Sequence, residues 1–252
     1  MALYGQGYAP RDVKKRDVLG FMESMRSEGL CVTTQRGYIV ALKRLCQHCH
    51  NNVFDTMILT WSPDLRQNVE WLEKAQAAEL LTAPMDAREN IIVTLMLCMG
   101  LRRIEVIRLN VADIGDGWIT VTGKGRLGGK LRTVPFHPRF ESALKRWMEY
   151  RSKILGSETS DALIIYRHGK RISRYSAKGS AIDNIVRTVG NRVGFGVSCH
   201  TLRRTFGRLL WMSGVKVETI ARILGHTSTV QTLRYIGVNL DDMVEGMNKL
   251  IF

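Results

Sequence analysis

His200-Thr201-Leu202-Arg203-Arg204-Thr205-Phe206, then Leu224-Gly225-His226 and, nine residues beyond that histidine, Tyr235, sets the terms for the whole chain. A histidine, two adjacent arginines, a second histidine and a tyrosine come in that order. Upstream stand Gly100-Leu101-Arg102-Arg103-Ile104-Glu105 and Gly123-Lys124-Gly125. Together these form a set of cations able to surround one phosphate and a hydroxyl able to attack it, a combination suited to cutting nucleic acid without a metal.

The spacings give each residue a physical reason to belong. His200 and Arg203 are three apart, so one helical face can offer both to the same anion; Arg204 points about a third of a turn away. Arg102 presents a planar fork of donors that stays charged and suits the two non-bridging oxygens of a phosphodiester. Arg103 is its rival within the motif, and Glu105 either holds the guanidinium or is a surface carboxylate. Lys124 lies between glycines that let backbone approach a ligand, and an ammonium can protonate a departing alkoxide. Taken singly, each has a plainer explanation. Gly-Leu-Arg-Arg is commonly a solvated helix end, and Gly-Lys-Gly is commonly just a turn, without the spacing of a Walker phosphate loop. A histidine after a helix-closing Leu-Gly usually caps or packs, and a tyrosine in Thr232-Leu233-Arg234-Tyr235-Ile236 is usually core. As a nucleophile, Tyr235 starts from a phenol pKa near ~10. Nearby cations would favour the phenolate and also stabilise the charge on a five-coordinate phosphorus.

Outward from these motifs, the first stretch is helical. Val18, Phe21, Met22 and Met25 recur at helical spacing, as do Tyr38, Leu42, Leu45 and Cys49, with Thr33 or Thr34 as N-cap of the second run. Periodicity lapses between about Thr56 and Asn68, where Trp61-Ser62-Pro63-Asp64 is a breaker, which divides the chain into a helical domain over residues 1–56, a linker over 57–68 and a second domain over 69–252. Asp86-Ala87-Arg88-Glu89 has capping-box spacing and opens an apolar helix that Gly100 should end. Trp118–Thr122 and Leu131–Phe136 have strand composition and flank a glycine-rich hairpin loop holding Lys124. The helix Val217–Leu224 should close at Gly225. The expected class is mainly α with a small antiparallel β-sheet. At the end, Leu240, Met243, Val244, Met247 and Leu250 form an apolar helical stripe, with Asp241 and Asp242 at its start and Lys249 near its end, charges that match a helix dipole.

Composition narrows the class. With 252 residues, of which 45% are apolar, the chain can fill one or two cores without staples. Its formal charge of +14 and pI of about 9.9 point to a polyanionic partner. Five cysteines without a disulfide rhythm and no charged-then-apolar leader imply a cytoplasmic or nuclear protein. The longest apolar run, Ile91 to Gly100, is far too short to span a membrane. Cys46, His48, Cys49 and His50 resemble a zinc set by residue type, but no partner pair exists elsewhere, and Cys46, Cys49 and His50 continue the face of Leu42 and Leu45. No metal and no cofactor is expected.

The ordered set of Arg102, Lys124, His200 with Arg203, His226 and Tyr235 resembles the tyrosine recombinases of the phage integrase and Xer type, over nearly the whole chain. The family's first arginine falls on Arg102, with Glu105 as its supporting acidic companion, its hairpin lysine on Lys124, its His-x-x-Arg on His200 and Arg203, its later histidine on His226 and its nucleophile on Tyr235. One departure is visible: many members carry a second histidine where this chain has Arg204. The resemblance implies a site-specific DNA recombinase whose amino-terminal DNA-binding domain and catalytic domain clamp duplex DNA. In that scheme Tyr235 forms a 3′-phosphotyrosyl link, Arg102, Arg203 and His226 stabilise the phosphorane, Lys124 protonates the leaving oxygen and His200 assists proton movement, without metal or ATP. It also implies a homotetramer on DNA with the carboxy-terminal helix exchanged between subunits. Type IB topoisomerases carry a similar catalytic set on a larger architecture, and a DNA-binding accessory protein without chemistry is the other alternative. The start of the chain, with no further arm-binding domain ahead of the clamp, leans toward the simpler resolvases.

Overall fold

A computed structural model describes residues 9–61, 70–123, 131–172, 181–238 and 240–248. The chain divides into two compact units, Met1–Asn68 and Val69–Phe252.

In the first unit, α1 (Lys15–Ser27) starts where the Asp17 carboxylate accepts the Lys14 N–H at 2.8 Å, and it buries Val18, Met22 and Met25 along one stripe. Against it lies α2 (Val32–His48), which begins just ahead of the expected caps, with Cys31 as N-cap. Its buried stripe is also rotated by one residue from the expected face: Gln35, Ile39 and Cys46 point inward with Leu42 packed beside them, while Tyr38 is exposed and meets Phe21 edge-on. Gln35 can sit inside because its amide donates to the Leu30 carbonyl at 2.7 Å, so its burial leaves no donor stranded. Cys46 is core, but α2 ends at His48, Cys49 caps it and His50 turns to φ 57, so these residues do not share the one face expected of them. Asn51 then ties the start of the unit to the end of α2 by donating to the carbonyls of Pro10, Arg11 and Val13 at 3.0, 3.1 and 2.8 Å.

The second unit begins with α3 (Lys74–Thr82) and is organised around α4 (Ala87–Leu97). The capping box opens α4 as expected: Asp86 accepts from Glu89 N–H at 2.8 Å and Glu89 returns the bond at 3.0 Å. Apolar almost all round, α4 is enclosed by α3, by α6 (Pro138–Leu155), by α7 (Ala181–Arg192) and by α8 (Cys199–Met212). Glu89, its one buried acid, is neutralised by a bidentate pair with Arg192 at 2.7 and 2.9 Å. Trp147 of α6 fills the other side of this core, its indole donating to the Leu163 carbonyl at 2.9 Å.

After α4 the chain reverses at Gly100, which takes φ 66 while the Leu101 N–H closes on the Leu95 carbonyl at 3.0 Å. A Cβ at Gly100 would stand 2.3 Å from the Phe206 ring of α8, so both backbone and packing demand glycine there. The chain then runs through α5 (Arg103–Arg108) and a short 3₁₀ turn at Val111–Asp113 into β1 (Trp118–Thr122) and β2 (Leu131–Pro135). The strands pair antiparallel, Trp118 opposite Pro135 and Thr122 opposite Leu131. Mainly helical with a small antiparallel sheet is therefore the observed class. The loop carrying Lys124 lies outside the described residues.

Three short helices complete the unit: α9 (Val217–Leu224), closed by Gly225 at φ 64, α10 (Thr229–Ile236), capped by Ser228, and α11 (Leu240–Asn248). Both α9 and α10 pack on α8. Asp242 of α11 accepts both terminal nitrogens of Arg208 at 2.6 and 2.7 Å, and the same guanidinium lies 4.7 Å from the Trp71 ring centroid. Val244 and Met247 of α11 are exposed, while Lys249 and Leu250 lie outside the described residues. No described helix is long and apolar enough to cross a membrane.

Candidate active site

The reversal at Gly100 places Arg102 as N-cap of α5 and Glu105 in its first turn. Glu105 is wholly buried and collects three guanidiniums. Its Oε2 accepts the Arg102 backbone N–H at 2.7 Å and its Oε1 accepts Arg102 Nη1 at 2.8 Å. From β2, Arg132 donates to both carboxylate oxygens at 2.8 and 2.9 Å. Arg203 Nη1 stands 3.7 Å from Oε2. Arg103, the rival, turns away and pairs with Asp183 of α7, whose other oxygen accepts the Cys199 thiol at 3.0 Å.

Arg203, from α8, is only 2% exposed against 23% for Arg102. Its terminal nitrogens donate to the carbonyls of Gly100 and Leu224, pinning the ends of α4 and α9 together. Nη2 also stands 3.4 Å from His226 Nε2. His226 follows Gly225, where a Cβ would press within 3.1 Å of the Arg132 side chain. Arg132 in turn donates to the Ile223 carbonyl at 2.8 Å, so the turn holding His226 rests on the hairpin strand. The other imidazole nitrogen, Nδ1, is 3.0 Å from Thr232 Oγ1 of α10. Because a guanidinium can only donate, Nε2 must be the acceptor and Nδ1 the protonated nitrogen.

Tyr235 sits one helical turn from Thr232 on α10. Its ring meets His226 edge-on at 5.1 Å, and the guanidinium carbons of Arg203 and Arg204 lie 5.8 and 5.4 Å from its centroid. Its hydroxyl has essentially no exposed surface and, among the described residues, no hydrogen-bond partner. Thus Arg102, Glu105, Arg203, His226 and Tyr235 converge. His200 lies in the first turn of α8, close enough for Arg203 and Arg204 to act on its charge.

A model of the phage integrase family matches residues 70–241, most of the chain. The chain belongs to the phage integrase family. Relatives of this family similar to it include the tyrosine recombinase XerA of Pyrococcus furiosus, 24% identical over 249 residues covering 97% of this chain and 82% of that protein. The tyrosine recombinase XerD of Ralstonia nicotianae is 27% identical over 248 residues, 94% of this chain and 79% of that one. Among solved structures, XerH bound to a palindromic difH substrate in a post-cleavage complex aligns with a TM-score of 0.74 at 20% identity, covering 98% of this chain and 74% of that one.

Within this phage integrase site, electrostatics departs from the expectation of a ring of cations. Burial lowers the His226 pKa, and Arg203, Arg102 and Arg132 depress it further, to about 4. His200 is likewise lowered, by partial burial and then by Arg204, Arg203 and Arg103. With the protein's own groups around them, both imidazoles are neutral at pH 7, because burial disfavours their charged forms and the neighbouring guanidiniums add positive charge against them. Burial also depresses Arg203, to about 10, with Arg102 adding to the effect, which leaves it charged at neutral pH.

Glu105 is the reverse case. Burial alone would raise its pKa, but the hydrogen bonds and charge of Arg132, with Arg203 and the Arg102 N–H, bring it down to about 2. A depressed carboxylate stabilises the fold fully above its unfolded value, about 4.3, and that contribution fades as pH falls toward the folded one. Glu105→Gln should therefore cost on the order of 3 kcal/mol at pH 7, and the gap from the wild type should narrow steadily below pH 4 in denaturant titrations. A gap that is constant from pH 7 to pH 2 would remove Glu105 from this role.

Two site residues escaped the sequence. Arg132 sits in a strand with no motif around it, and nothing local marks it as a partner of Glu105 and Ile223. Thr232, one turn before Tyr235, fixes the His226 tautomer; its spacing of three from the tyrosine is the only hint, and an ambiguous one.

Proposed function

We propose that the protein is a site-specific DNA recombinase that cuts and rejoins duplex DNA through Tyr235. The observation that carries this is the convergence of a tyrosine hydroxyl, two guanidiniums and a histidine around one Glu105-anchored cluster in a phage integrase chain. The substrate class follows from the +14 charge and from the relatives, among which XerH is described bound to its difH substrate before and after cleavage.

In the reaction, the Tyr235 oxygen attacks the scissile phosphorus. The O–P bond to tyrosine forms, the P–O5′ bond breaks, the phenolic proton passes to neutral His200 and the 5′-oxygen leaves with a proton from Lys124. Arg102 and Arg203 donate to the non-bridging oxygens as negative charge grows there, and His226 donates once the phosphate's charge raises its proton affinity. One phosphodiester becomes another of similar energy, so rejoining is the same step reversed, with neither ATP nor a metal ion. The protein acts in the cytoplasm, with both units gripping the duplex. On DNA it works as a tetramer in which α11 leaves its own Arg208 for that of a neighbour.

To test this, the protein is incubated with nicked genomic fragments in a chelator, denatured, and the covalently held DNA sequenced. The expected result is a family of fragments sharing inverted half-sites, and strand exchange between two copies of that site. Relaxation of supercoils without site preference would replace recombinase by topoisomerase. Binding with no adduct would make the protein an accessory factor.

A further inference from the structure

We infer that Arg204 is a positioning residue for the nucleophile: its guanidinium, set beside the Tyr235 ring, supports the negative charge that the phenol acquires as it loses its proton. The inference rests on Tyr235 being the nucleophile of the proposed reaction.

Helical spacing alone takes Arg204 off the face shared by His200 and Arg203. The packing of α10 against α8 brings it back, since the Tyr235 ring meets both arginines, and Arg204, at 5.4 Å from the ring centroid, is the nearer one. A second observation is independent of that contact. Arg204 is half-buried, its Nε is buried without a hydrogen-bond partner, and among the described residues no carboxylate pairs with it. A partly desolvated cation with no counter-charge is costly to keep in a fold. The charge that would compensate it develops only in the reaction, on the phenolate and the phosphate beyond it.

The groups facing Tyr235 from its surroundings are Arg203 and Arg204 from α8, His226 from the turn after α9 and, at longer range, Arg102 from the start of α5. Burial pushes the phenol up, and Arg203, Arg204 and Arg102 oppose it. Arg203 is committed to the Gly100 and Leu224 carbonyls, whereas among the described residues no such bond holds Arg204. Arg204 is also the leading charge that keeps His200 unprotonated, after burial itself. One side chain thus eases proton loss from the tyrosine and keeps the imidazole ready to receive that proton.

The test is single-turnover adduct formation on a nicked duplex carrying the target site, followed from pH 6 to pH 10, for wild type, Arg204→Gln and Arg204→Lys. In the glutamine variant the rate at pH 7 should fall at least ~10-fold and its rise with pH should move upward by about one unit, the tenfold that one pKa unit represents. The lysine variant should recover most of both. Should the glutamine variant not fold, Arg204→Met, of similar length, is judged by the same criteria. A uniform loss at every pH, or lysine no better than glutamine, would show a packing role and overturn the inference while leaving the function intact. Absence of adduct from the wild type at any pH would instead overturn the proposed function.

Discussion

Tyr235→Phe should abolish the covalent protein–DNA band on a nicked duplex while leaving folding and DNA affinity close to wild type. The substitution removes one oxygen that makes no hydrogen bond among the described residues, and the ring keeps its contacts with His226, Arg203 and Arg204. Losing an unbonded hydroxyl from a buried position costs little stability and can even add to it. Binding and chemistry should therefore separate at a single atom. The wild-type band, digested with protease, should yield a phosphorylated peptide containing Tyr235. If the phenylalanine variant still forms the band, the nucleophile is another residue.

Arg203→Ala should be as damaging to chemistry and far more damaging to the fold. Its guanidinium holds the carbonyls of Gly100 and Leu224 and stands beside the buried Glu105, so truncation strands acceptors and leaves that carboxylate with less compensation. Breaking such a buried arrangement commonly costs ~3–5 kcal/mol. Arg203→Lys isolates the chemistry, because an ammonium keeps the charge but cannot span two carbonyls and a phosphate oxygen together. The adduct rate of a folded lysine variant should drop by about 10²–10³, the usual loss of one transition-state donor. A lysine variant cleaving at the wild-type rate would mean that Arg203 only braces the helix ends.

Local signals made much of this legible from sequence. The Asp86/Glu89 box, the strands flanking the glycine-rich loop and the closure of α9 at Gly225 are each set within a few residues, and each stands where the spacing puts it. Long-range placement was not legible. The face of α2 turns by one residue because a glutamine finds a carbonyl inside the core, which no apolar period records. Arg132 reaches Glu105 across 27 positions, and Arg204 meets Tyr235 only because two helices cross. The neutrality of the histidines has the same origin, since their burial and the three guanidiniums that act on each exist only once the chain is folded.

The sealed hydroxyl of Tyr235 bears on fidelity. If Tyr235 is the nucleophile, as proposed above, an oxygen with essentially no accessible surface cannot react with a phosphodiester that merely collides with the protein. The phosphate must first settle among the arginines and the tyrosine must turn toward it, and each of these steps takes time that a loosely held duplex does not grant. Under the proposed reaction, sequences that bind and leave quickly are released unbroken, so discrimination lies in how long a site is occupied as much as in how tightly it is held. Under the proposed reaction, a basic protein can in this way touch many stretches of DNA and cut only those it holds long enough.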